Sequence, residues 1–260
     1  MLIFNKTDIR NITLLFGSTM TVLASLTLAP ALPEMSSVFQ DVPNANFLVR
    51  FTLTMPALIV AISAPLVGFL LDRWGRKPIL LGSLVMYGVS GSSGFLLDSL
   101  FTILVTRAFL GLSVAGLMIV FTTLIADYFS GQQLNKFLGY QGAALGVGQM
   151  IYLPIAGVLA EIGWRFPFLV HLIAFLLIPG VLFTIYEPEI KDGANQGDIV
   201  DQENSFPWRI VAPIYSTVFL LSFIFHVFPV HLPFYLTTHG ASSSQVGIAL
   251  ALPAVSAIII

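Results

Sequence analysis

Four charged residues stand between two apolar runs in Gly68-Phe-Leu-Leu-Asp72-Arg73-Trp74-Gly75-Arg76-Lys77-Pro78. The acid Asp72 would close one helix, and the cations Arg73, Arg76 and Lys77 would open the next. Such a group can form and break ion pairs, but it holds no nucleophile and no set of metal ligands. Gly75 permits a backbone conformation that a side chain would penalise, and Gly68 lets another helix approach closely. A loop that only fixed topology would need positive charge and nothing more. Glycines and an acid at set places point instead to a part in conformational change.

Other candidates are single polar side chains inside apolar runs. Arg107 lies about seven residues, roughly 10 Å at 1.5 Å per residue, from the start of its run. A cation at that depth is costly unless it faces a cavity or a partner, which makes it a functional candidate; snorkelling to an interface is the plainer alternative. Asp127 ends the same run, either in a charge cluster or as a solvated helix-terminal acid worth little. Glu34 shares a helical face with Thr27 and Pro30, as a protonatable group beside a cavity or equally as a rim acid in water. His226 shares a face with Pro229 and Pro233, lining a cavity or packing within the protein. Gly142, Gly146 and Gly157 fall near one helical face with Gln149 beside them, a pattern for tight helix packing.

Composition narrows the function classes. The 260 residues are 57% hydrophobic and 9% charged, with a mean hydropathy of +0.92, far from a soluble domain. A net charge of -2 gives no support for nucleic-acid binding. No cysteine is present, so disulfides and thiolate chemistry are excluded. Histidines occur only at 171, 226, 231 and 239, without the spacing of a helical zinc site. No phosphate-binding glycine loop or nucleophile elbow is present. The chain is expected to be no enzyme and to need no cofactor or metal.

The elements that position these residues are apolar spans. A membrane helix needs roughly 20 apolar residues, because unpaired backbone groups are too costly in hydrocarbon. Eight such segments are expected, over 11–34, 47–71, 78–97, 100–127, 136–160, 166–186, 208–236 and 245 to the end. The first stays in place as an anchor, being too long for a signal-peptide core. Residues 187–207 carry Glu187, Glu189, Asp192, Asp198, Asp201 and Glu203 against Lys191 alone, and read as a flexible polar linker. Three parts are therefore expected: a six-helix bundle over 1–186, the linker 187–207, and the start of a second bundle over 208–260. With the N-terminus inside, Lys6, Arg10, Arg73, Arg76, Lys77, Lys136, Lys191 and Arg209 face the cytoplasm, against Arg50 and Arg165 outside. Because Ala257-Ile-Ile-Ile260 ends within an apolar run, a longer parent protein is expected.

These features resemble the major facilitator superfamily, in its branch of drug:proton antiporters. The run Gly68 to Lys77 is similar to that family's loop motif between the second and third helices, Gly-x-x-x-Asp-Arg-x-Gly-Arg-Lys. Arg107-Ala-Phe-Leu-Gly111, followed by Ala115 and Gly116, resembles its fourth-helix motif, and Ile125-Ala-Asp127-Tyr-Phe129 the end of that helix. Leu28-Ala-Pro30-Ala-Leu-Pro33-Glu34 resembles the first-helix motif of drug exporters, and Gly163-Trp164-Arg165-Phe166 the start of the sixth. The fifth-helix antiporter motif is only partly kept, as Pro154 and Gly157 in Leu153-Pro-Ile-Ala-Gly157. The resemblance implies an all-α polytopic membrane protein, monomeric when full length, in a bacterial inner membrane. It would move small amphipathic molecules or drugs outward by alternating access, with proton influx. Asp72, Arg73, Arg76 and Asp127 would form the gate, and Arg107 would serve proton coupling. A non-transporting membrane sensor or assembly protein, or an inactive fragment of a transporter, are the alternatives.

Overall fold

The computed structural model describes residues 5–187 and 208–259. The expected linker lies outside the described residues, apart from Glu187. Among the described residues there is no strand. Span one is α1 (Lys6–Leu26), a 3-10 turn at Ala29–Ala31, and α2 (Leu32–Val38). Span two is α3 (Ala45–Trp74), span three α4 (Arg76–Ser92), span four α5 (Leu100–Tyr128) and span five α6 (Gly131–Ile162). Span six begins as a 3-10 stretch at Phe166–Ile173 and continues as α7 (Ala174–Thr184); α8 (Trp208–Thr238) and α9 (Ser243–Ile259) follow.

Local chemistry accounts for the breaks. Asn5 and Asp8 form a capping box that starts α1. Pro30 and Pro33 sit at the first positions of the two short helices that end span one, where a missing amide costs nothing. Gly75 both ends α3 and starts α4, with φ 86. Five stretches are long and apolar enough to cross a membrane: Lys6–Val38, Ala45–Trp74, Leu100–Tyr128, Gly131–Ile162 and Phe166–Thr184. At 1.5 Å per residue the 32 residues of α6 reach about 48 Å, past the roughly 30 Å hydrocarbon core and into the headgroup layer.

Span three is shorter than its hydropathy implies. It ends as an α-helix at Ser92, after 17 residues, and closes with a 3-10 turn at Ser93–Phe95. Its small residues face aromatic neighbours on span six. A Cβ added at Gly88 would lie 2.6 Å from the Phe175 ring, and one at Gly91 would lie 2.5 Å from the His171 side chain. Glycine here sets how closely the two spans pack.

Two clusters of buried apolar side chains hold the spans together. The first lies at the end carrying residues 72–77 and is built around Leu14, Leu71, Leu80, Phe121, Ile125 and Val181. The second lies at the opposite end and includes Met35, Val49, Ile103, Leu153, Trp164 and Leu250. Leu250 belongs to α9, so the second cluster joins the described part of the expected second bundle to the first.

Candidate gate and translocation site

The charged loop ties two helix ends together. At Gly75 the chain turns with φ 86, a value that L side chains rarely adopt. Arg76 then places its Nε 3.2 Å from Asp127 Oδ2, tying the start of α4 to the end of α5. Both groups are partly shielded, at 14% and 26% exposure. Asp72 and Arg73, in contrast, are exposed and have no ion pair among the described residues. The loop thus brings together Arg76 and Asp127 and leaves Asp72 and Arg73 open to a further partner.

Glu187 completes this arrangement. Its carboxylate accepts the amide of Arg76 at 2.6 Å and that of Lys77 at 2.9 Å. It therefore caps the N-terminus of α4, where two unpaired amides and the positive end of the helix dipole favour an anion. A Cβ at Gly75 would sit 2.7 Å from Glu187 Oε1, a second reason why glycine suits that position. Lys77 Nζ donates to the Leu182 carbonyl at 2.9 Å. Tyr186 stacks on Tyr128, whose hydroxyl donates to the Tyr186 carbonyl at 2.6 Å, and the Arg10 guanidinium lies 4.7 Å from the Tyr128 ring. Glu187 is the first residue of the expected linker 187–207. No local pattern marks it, because its partners are backbone amides 110 and 111 residues away.

Arg107 is fully buried, and its hydrogen-bond partners are backbone carbonyls. Its Nη2 donates to the carbonyls of Ser90 at 3.2 Å and Gly91 at 2.6 Å, and its guanidinium lies 4.8 Å from the Phe168 ring. Among the described residues it has no carboxylate partner, since the two ion pairs are Arg76–Asp127 and Arg165–Asp98. Ser90 and Gly91 belong to the last turn of α4, whose carbonyls lack helical partners. Arg107 is thus a cap for the C-terminus of α4, at the negative end of the dipole. Next to it, His171 bonds through Nδ1 to the Phe168 carbonyl at 3.0 Å, and the Tyr87 hydroxyl donates to the Met20 carbonyl at 2.8 Å.

The remaining candidates separate. Gln149 lines a cavity of about 230 Å³ with Leu26, Leu153, Phe228, Leu250 and Pro253, between the first bundle and α8–α9. His226 is half-buried on α8, the helix that supplies Phe228. Thr27 is buried, and its hydroxyl donates to the Leu23 carbonyl in the last turn of α1 at 2.8 Å. Glu34 is exposed. Gly111 meets α3, where an added Cβ would lie 2.6 Å from the Pro56 carbonyl oxygen. Gly157 meets α9, with Ser243 O at 2.7 Å from an added Cβ. Gly68 and Gly142 have nothing within 4 Å of such a Cβ, so the close approach expected of them does not occur. Gly146 is buried in α6, and Pro154 lies within the same helix. Metal-binding groups of three or more acids or histidines are absent among the described residues.

Comparison with known proteins places this geometry. A family model described as Major Facilitator Superfamily matches residues 14–260. Multidrug resistance protein 1 of Bacillus subtilis (strain 168) is 31% identical over 217 residues, covering 83% of this chain and 55% of that protein. The class B tetracycline resistance protein of Escherichia coli is 32% identical over 160 residues, 57% of this chain and 38% of its own length. The chain therefore spans about half the length, or less, of these curated relatives. Among solved structures, a D-xylose-proton symporter has a TM-score of 0.73 at 18% identity over 96% of this chain and 66% of its own. A bacterial homolog of the human lysosomal transporter Spinster, inward-facing and occupied, has a TM-score of 0.74 at 17% identity, covering 94% of this chain and 57% of its own. At these identities the structural likeness speaks to fold alone.

Proposed function

Because the chain belongs to the Major Facilitator Superfamily, we propose that it forms the first bundle, and the beginning of the second, of a secondary active exporter. Its bundle is 1–186, its cytoplasmic linker 187–207, and its part of the second bundle 208–260. The cargo is a small amphipathic molecule or drug, moved out by alternating access against proton influx. The arginine and lysine bias puts the N-terminus and the 72–77 loop in the cytoplasm of a bacterial cell, with the protein in the inner membrane as a monomer. Names of relatives support the cargo class: multidrug, tetracycline and quinolone resistance proteins are among them. The apolar cavity beside Gln149 supports it too, since it suits a ligand held mainly by apolar contact.

The observation that carries the reading is the half-built gate. Arg76 and Asp127 are already paired, while Asp72 and Arg73 stand exposed at the same end. A lock between two rocking bundles needs charges held rigidly on one bundle and free to engage the other. In the transport-competent protein, Asp72→Asn and Gly75→Val should each abolish or strongly reduce proton-driven dye transport in membrane vesicles. Membrane insertion should be unchanged, because a conformational equilibrium is altered and no span is lost. Normal transport by both variants would leave the loop as a topogenic signal only.

A further inference from the structure

At the end of the molecule away from the charged loop, the two bundles meet where α6 crosses α9. Added Cβ atoms show how close the crossing is: one at Gly157 would lie 3.2 Å from Gly247 Cα, and one at Gly247 would lie 3.1 Å from Gly157 Cα. The N-terminus of α9 stands at this crossing. Ser242 and Gln245 form a reciprocal capping box, with Ser242 N–H donating to Gln245 Oε1 at 3.0 Å and Gln245 N–H to Ser242 Oγ at 3.4 Å. The box leaves the amide of Ser244 without a partner from its own helix. That partner comes from the last turn of α6, where Glu161 Oε1 accepts the Ser244 amide at 3.2 Å. The Ser242 and Ser244 hydroxyls lie 3.0 Å from each other at the same helix start.

We propose that Glu161 is a positioning residue for transport, a carboxylate latch that holds the outer end closed by capping α9 across the bundle boundary. The proposal rests on the alternating-access reading given above. Opening that end must part α6 from α9, which exposes the Ser244 amide and removes an anion from the positive end of a helix dipole. A protonated Glu161 is a weaker acceptor without charge, so acidification on this side favours opening. Among the described residues, Glu161 is the carboxylate hydrogen-bonded to α9. The other charged residue of α6, Lys136, lies near its opposite end. The 3-10 turn Ala29–Ala31, packed against both helices, carries no charge. Arg165 is paired with Asp98. His239, before α9, holds the Tyr235 carbonyl at 2.9 Å, and His231 on α8 faces Arg50 at 3.5 Å.

The absence of native cysteine makes the test direct. Spin labels on cysteines replacing Ile162 and Ile248, both exposed, report the separation of the two helices in the 260-residue chain in lipid bilayers. Glu161→Ala should raise the ratio of separated to closed population about two- to fivefold, the scale of a carboxylate at a helix N-terminus. Glu161→Gln, which keeps an acceptor without charge, should fall between and stay flat with pH. The chain with Glu161 intact should shift toward the open population as pH falls through the carboxylate range. An unchanged ratio in Glu161→Ala, or a pH response that survives in Glu161→Gln, would overturn the latch. The readout needs no transport, so a failure of export in vesicles and a failure of the latch are separate results.

Discussion

Arg107 carries a fully buried guanidinium with no carboxylate beside it among the described residues. A deeply placed arginine invites a search for a carboxylate, because Coulomb attraction is the usual compensation for a buried charge. Here the compensation is two carbonyls of a neighbouring helix end and one aromatic face. Backbone acceptors have no sequence signature, so spacing alone could place the arginine and not its partners. Replacing Arg107 by Ala strips the last turn of α4 of its cap: the Gly91 carbonyl loses its side-chain donor, while Ser90 O keeps the Ser93 hydroxyl at 2.8 Å. The expected loss is about 1–3 kcal/mol, read as a lower unfolding midpoint in detergent. Arg107→Lys should recover only part, since an ammonium on a flexible stem loses the contact of the planar guanidinium with the Phe168 ring. If the alanine variant is as stable as the parent, the capping role fails.

At the scale of elements, α4 and α6 show what hydropathy can and cannot convey. The apolar runs mark the spans, and Asp72-Arg-Trp-Gly75-Arg-Lys77 marks the turn between two of them, because water-phase turns need charge and glycine. Hydropathy does not show that span three stops as an α-helix at Ser92, nor that span six begins as a 3-10 stretch. Those features come from packing glycines 88 and 91 against rings of another span, a long-range matter. The result is a short helix with an anion at its N-terminus, Glu187, and a cation at its C-terminus, Arg107, each supplied from elsewhere. For α9 a local signal did exist: Ser242-Ser-Ser-Gln245 is a capping-box pattern, and it sets the helix start at Ser243 where apolarity alone suggested 245. On α6 the glycines that share a face divide by what they meet. Gly157→Val places a Cβ 2.7 Å from Ser243 O and 3.0 Å from Ser244 Cα, backbone atoms that cannot turn aside. This variant should push α6 and α9 apart and lower the yield of a cross-link between them. Gly142→Ala, with nothing within 4 Å, should leave the cross-link unchanged and stabilise the helix by up to about 1 kcal/mol. Equal cross-linking in both variants would show that the crossing is not set by Gly157.

For the molecule as a whole, the two apolar clusters distribute the cohesion unevenly. The cluster near the charged loop is built from spans one to six, whereas the opposite cluster includes Val246, Leu250 and Ala251 of α9. Residues of α9 thus join the buried cluster at one end and not the one at the other. Alternating access requires two bundles that rock around a shared site. Among the described residues, the cavity beside Gln149 is lined from α8 and α9 by Phe228, Pro229, Leu250 and Pro253. The 260-residue chain should therefore insert into bilayers yet move no substrate when reconstituted without further protein. A proton gradient across such vesicles should drive no uptake of an amphipathic dye above that of empty liposomes. Proton-dependent uptake would contradict this, unless a second copy supplied the missing walls. Mass measurement of the detergent-solubilised particle separates the two cases, because a transporting monomer would refute the need for two complete bundles, whereas a transporting dimer would show that the first bundle can stand in for the second.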